Sequence, residues 1–147
     1  MTPEVGTELI NPLSGTKTVF LATAESTGGA YVEIEATYPP NNTPPPLHKH
    51  PAQAEPFTVL AGGLDGVRDG ERFSIRTGDE LTVEAGVPHL MGAGDDGAVF
   101  RWRTSPALRT GELFCALWEV ARDNDWKPDG MQLFGVLMEY DAEFCLC

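Results

Sequence analysis

The stretch Pro46-Leu47-His48-Lys49-His50-Pro51-Ala52-Gln53-Ala54-Glu55 decides how this chain is read. If residues 46–50 are extended, His48 and His50 point to one face, because side chains in a strand alternate with period two. Four residues separate the pair from Glu55. The third histidine, His89, comes later in Gly86-Val87-Pro88-His89, so all three histidines of the chain belong to one pattern. Paired imidazoles, a nearby carboxylate and a distant third imidazole are a ligand set for a divalent transition metal.

Around this segment the first 105 residues read as short strands broken by turns. Thr16–Thr23 is one. Tyr31–Tyr38 is another, with Val32, Ile34, Ala36 and Tyr38 alternating with polar residues. The run 39–46, with its five prolines, forces an extended connection into His48. Strands are expected over 56–61 and 64–68, separated by Gly62-Gly63. Leu64–Arg68 and Glu71–Arg76 flank Asp69-Gly70, a hairpin turn. Further strands fall at 80–84, 88–91 and 98–103. Gly92-Ala93-Gly94-Asp95-Asp96-Gly97 has the form of a phosphate-binding glycine loop, but no helix follows it and it carries two carboxylates; it reads as a hairpin loop. Short strands with Gly and Pro turns predict an all-β barrel or sandwich.

After Pro106 the period changes. Leu113, Phe114, Leu117, Trp118 and Ala121 form the stripe of an amphipathic helix over 111–125. Asp129 is positioned to cap a second helix over 131–139. These helices are expected on the outside of the barrel or against a partner subunit. The whole chain, 1–147, reads as one domain with a barrel at about 16–105 and a helical extension at about 106–147.

Composition excludes several function classes. A formal net charge of -12 and scattered basic residues do not suit nucleic acid or an anionic membrane. No run of about 18 apolar residues could span a bilayer, and Met1–Gly6 resembles no signal peptide, so the expectation is a cytoplasmic protein. Three cysteines are too few for a disulfide framework. Cys115 reads as a small core residue, whereas Cys145-Leu146-Cys147 could bind a soft metal on a tail of the kind that commonly frays.

The two histidine segments resemble the paired motifs of the cupin superfamily. His48, His50, Glu55 and Gly62 match the first motif, in which Asn42 stands at the leading glycine position. Gly78, Gly86 and His89 match the second, in which Glu84 replaces a proline and Ala93 a final asparagine. The resemblance is to small single-domain cupins with C-terminal helices. It implies a double-stranded β-helix (jelly roll), a metal inside the barrel and a frequent homodimer. By the same resemblance Glu55, as in quercetinase-type dioxygenases, would be both a metal ligand and a proton acceptor.

Three imidazoles and a carboxylate suit Fe, with Mn, Ni, Co or Zn as alternatives. Strand parity places Phe57 and Val59 in phase with Glu55, and Met91 in phase with His89. Tyr38, Phe100 and Trp102 lie on the apolar faces of their strands, so these six outline an aromatic pocket for a small-molecule substrate. Tyr38 adds a second transferable proton beside Glu55. The function expected is a metal-dependent oxygenase, with isomerase or lyase action, or non-catalytic binding, as the alternatives.

Overall fold

The computed structural model describes residues 1–147, with nine strands and two helices. The strands are β1 (Glu8–Ile10), β2 (Lys17–Ala22), β3 (Val32–Tyr38), β4 (His48–Lys49), β5 (Glu55–Arg68), β6 (Glu71–Arg76), β7 (Glu80–Val83), β8 (His89–Thr104) and β9 (Cys145–Leu146). The helices are α1 (Thr110–Arg122) and α2 (Gly130–Glu139). All strand pairs are antiparallel.

Two long strands, β5 and β8, belong to both walls of the jelly roll. The first half of β5 lies between β7 and the second half of β8, which continues to β3, β2 and β1. The second half of β5 lies between β6 and the first half of β8, which continues to β4 and β9. This arrangement corrects two expectations. Gly62-Gly63 bends a single strand and does not end it. Gly92–Gly97 lies within β8 and is not a hairpin loop.

The reason is local. Gly62 pairs with Ala98 and Leu64 with Ala93, so residues 94–97 bulge opposite Gly63. Gly62 (φ 70°) and Gly97 (φ 71°) both sit in the left-handed region, and a Cβ on Gly62 would lie 2.0 Å from the Gly97 carbonyl oxygen. Only glycine lets the backbones cross so closely. Asn41 and Asn42 pin the bulge, through Asn41 N–H to the Gly94 carbonyl (3.1 Å) and the Ala93 N–H to Asn42 Oδ1 (2.7 Å). Asn42 and Ala93 are both departures from the motif pattern, and here they bond to each other.

The Asp69-Gly70 hairpin joins β5 to β6, with both residues at positive φ as a tight primed turn requires. Val32, Ile34 and Ala36 on β3, with Phe100 on β8, are at most 1% exposed and centre the core. Both helices begin close to their expected positions. Asp129 caps α2 through a reciprocal capping box with Gln132. Neither helix lies on the outer wall as expected. Leu113, Phe114 and Leu117 of α1 and Leu133, Phe134 and Leu137 of α2 form one side of the interior cavity. Phe114 meets Trp102 edge-on at 5.2 Å, which seats α1 across the barrel mouth. No helix is long and apolar enough to cross a membrane.

Candidate metal centre

The local chain path brings the three histidines together. His48 on β4 pairs directly across from His89 at the start of β8, and His50 lies just beyond β4. Their rings sit 4.4–5.1 Å apart between centroids, and one nitrogen of each lies within 4.8 Å of the others. The Nδ1 atoms face backbone carbonyls of Pro46 (2.7 Å), Glu143 (2.6 Å) and Val87 (2.9 Å) for His48, His50 and His89. A carbonyl can only accept, so each Nδ1 carries the proton. The Nε2 atoms are left as the ligating nitrogens, the usual means by which an outer hydrogen bond fixes a metal-binding tautomer.

Glu55 begins β5 beneath these rings and is 3% exposed. Its Oε1 lies 2.8 Å from His50 Nε2 and 3.5 Å from His89 Nε2. Donors around an ion with bonds of about 2.1 Å stand about 3 Å apart when adjacent and about 4 Å when opposite; the three histidines could hold one ion, and Oε1 lies within that range of two of them. Burial pushes the Glu55 carboxyl up, but hydrogen bonds and charge from His50 and His89 outweigh it and bring the group down to about 2. Burial, reinforced by the neighbouring His89 and His50, lowers His48 to about 4 against the Pro46 hydrogen bond, so that ring is neutral at pH 7. His50 is raised: burial lowers it, but the Glu55 hydrogen bond and charge and the Glu143 carbonyl prevail. A metal arriving at His50 therefore displaces a proton.

Three supports for this cluster were not foreseen. Thr104, fully buried, donates its hydroxyl hydrogen to Glu55 Oε2 (3.0 Å) and accepts from Trp102 Nε1–H (2.7 Å). Gln53, also fully buried, donates from Nε2 to the carbonyls of Pro106 (2.8 Å) and Ala107 (3.1 Å) and to Thr110 Oγ1 (2.8 Å). It thereby ties the histidine segment to the start of α1. The third support is the C-terminal tail, which is not frayed. β9 pairs with β4, and the Phe144 ring stacks on His48 at 4.3 Å and 16°. Thr104 continues the inward parity of Phe100 and Trp102, so one more step along that strand would have found it. Nothing in the tail's sequence pointed to the histidines. Cys145 and Cys147 are free thiols, and Cys115 is buried in α1.

Above the cluster opens a cavity of about 730 Å³. Tyr38, Phe57, Met91, Phe100 and Trp102 line it, as do His48, His50, Glu55 and His89. Val59 does not. It is 1% exposed and packed in the core, because the cavity closes one turn of the pleat beyond Phe57. Tyr38 stands edge-on to Phe100 at 5.0 Å, and burial, followed by the Glu55 charge, pushes its phenol up to about 12. It is a proton donor at neutral pH.

A model of the cupin domain matches residues 34–103, which run from β3 through the first and second histidine segments to the last strand of the barrel. The barrel is a cupin domain. No curated protein sequence matches the chain. Among solved structures, an RmlC-like cupin from Shewanella frigidimarina shares 20% identity at a TM-score of 0.58, covering 69% of this chain and 86% of its own. KdgF from a Halomonas species shares 15% identity at 0.56, over 66% and 83%. A predicted oxalate decarboxylase from Thermotoga maritima shares 20% identity at 0.56, over 63% and 81%. At such identities these similarities show the fold. The two helices and the C-terminal tail lie outside the matched region.

Proposed function

We propose that this cupin is a metal-dependent enzyme acting on a small organic molecule, an oxygenase of the quercetinase-like kind with iron as the favoured metal. The observation that carries the reading is the cluster of His48, His50 and His89, with Glu55 Oε1 against two of the three rings, at the floor of an aromatic cavity. His48, His50, Glu55 and His89 would hold a divalent metal, which would make a substrate hydroxyl more acidic or polarise a carbonyl and, as iron, would activate O₂.

The chain's own residues do the rest. Phe57, Phe100 and Met91 keep water from the floor and strengthen every polar contact made there. Glu55 is held with Oε2 on Thr104, leaving Oε1 toward the histidines. Its low basicity suits a metal ligand, and in this reading it also accepts the proton of a substrate hydroxyl as that group ionises. Tyr38 donates to a substrate oxygen. The chain works as a homodimer in this reading, with the exposed Met131 and Met138 on α2 offering apolar surface to a second copy.

A second reading has one observation in its favour. A phenol kept protonated inside the cavity can hand its proton to an enolate, which suits isomerase or lyase action without O₂. Oxygen uptake by iron-loaded protein against a panel of hydroxylated aromatics separates the two. Uptake abolished by Glu55→Gln supports the oxygenase; turnover of the same compounds without uptake selects the isomerase or lyase. Ligand binding without turnover on any metal would overturn the enzyme reading and leave a binding protein.

A further inference from the structure

No Lys or Arg side chain enters the cavity, and the one imidazole raised toward its charged form, His50, is held against Glu55. The chain has ten Lys and Arg residues, and none lines it. Lys17, Arg76, Arg101, Arg103, Arg109 and Arg122 are engaged in ion pairs. Strand parity explains much of this. Arg101 and Arg103 alternate with the inward Phe100, Trp102 and Thr104, and turn outward to Glu35 and Glu33. Lys17 alternates in the same way with Thr16 and Thr18, which do line the cavity. Arg109 does reach a residue of the wall, Glu143, but it is already committed. Its guanidinium reaches Glu143 at 3.4 Å, donates to the Glu139 carbonyl at 2.6 Å and lies over the Tyr140 ring.

The wall carries two carboxylates, Glu55, paired with His50, and Glu143, each at most 3% exposed. Glu143 Oε2 has no hydrogen-bond partner. The remaining polar lining is the hydroxyls of Thr16, Thr18, Thr43, Thr110 and Tyr38, the amides of Asn11 and Asn42, and the rings of His48 and His89. Proteins that select carboxylate or phosphate ligands place Arg or Lys against them, because a buried anion without a partner is strongly disfavoured. Here a metal ion would be the sole positive charge, and Glu55 already offsets part of it.

The geometry points to an uncharged, largely apolar ligand, an aromatic molecule with one or two hydroxyl or carbonyl oxygens directed at the histidine cluster, and to the rejection of small dicarboxylates, sugar acids and phosphate esters. This rests on the metal-enzyme reading for the polar end of the ligand, whereas the charge preference follows from the wall itself.

The test uses a pair of matched shape, 2-hydroxybenzamide and 2-hydroxybenzoate, titrated calorimetrically into the Co(II)-loaded and the metal-free protein. Imidazole, neutral and small, is followed by the cobalt absorption bands. The amide should bind at least about tenfold more tightly than the carboxylate in both forms, although in water the carboxylate is the better metal ligand. Phe134→Arg places a cation on the roof at a side chain 48% exposed, where folding should be unaffected, and should narrow the preference by about tenfold. Carboxylate binding equal to or tighter than amide binding by wild-type protein would overturn the proposal, as would a preference that Phe134→Arg leaves unchanged. Failure to take up cobalt, or bands that imidazole does not shift, would instead overturn the metal reading, and the charge preference would still be judged on the metal-free titrations.

Discussion

Thr104→Val isolates the support beneath Glu55. The substitution keeps the shape of a fully buried side chain and removes one hydroxyl. Glu55 Oε2 then loses the donor at 3.0 Å and Trp102 Nε1–H its acceptor at 2.7 Å. Leaving a buried polar group unsatisfied costs about 1–3 kcal/mol, more for a charge. The two together should remove about 2–4 kcal/mol, or about 5–15 °C in Tm for a domain of this size. The carboxylate would also lose the restraint that aims Oε1 at the histidines, and outer partners of this kind are typically worth about 10–100-fold in metal affinity. Thermal melts report the first effect and metal titration against a competing chelator the second. Thr104→Ser restores the hydroxyl and should recover most of the affinity while losing only a methyl group. Metal affinity within about twofold of wild type in Thr104→Val, with no gain from Thr104→Ser, would refute the reasoning.

Phe144→Ala removes the ring stacked on His48. Such a pair is worth about 0.5–1.5 kcal/mol, so metal affinity should fall about 3–10-fold in the same competition assay, and an unchanged value would contradict a role for the tail. The metal-free protein should lose stability as pH falls from 6.5 toward 4. His48 is depressed from 6.5 to about 4, so the unfolded chain takes up the proton first and stability present above 6.5 is lost through that window, to a limit of about 3 kcal/mol. His50, raised by the fold, has the opposite sign: its contribution is full below 6.5 and fades as pH rises through its folded value. A flat Tm between pH 6.5 and 4, or an equal slope in His48→Gln, would exclude this linkage.

Much of the barrel was legible because period-two patterning and turn chemistry are local signals. The Asp69-Gly70 hairpin and the inward series Ile34, Ala36, Phe100, Trp102 needed nothing beyond neighbouring residues. The two long strands were read as four because glycine ordinarily interrupts pairing. Here Gly62 and Gly97 are what allow two strands to cross from one wall to the other, a tertiary fact invisible in either segment alone. The histidines were legible as a group, since two segments carried all three. Their supports were of two kinds. Thr104 lay in phase on a strand already assigned, whereas Phe144 and the Glu143 carbonyl reach His48 and His50 from about 93 residues away, a separation that no local pattern spans. The helices kept their stripes and the Asp129 cap, but amphipathicity says only that a face is covered. That this face lines the cavity follows from α1 docking against Trp102.

Metal content by elemental analysis tests the central claim most directly. The protein is purified without a histidine tag, before and after anaerobic reconstitution, beside the double variant His48→Ala, His89→Ala. The account predicts close to one transition-metal ion per chain in the native protein and its loss in the variant. Native protein that holds no metal after reconstitution, or a double variant that holds as much, would contradict it.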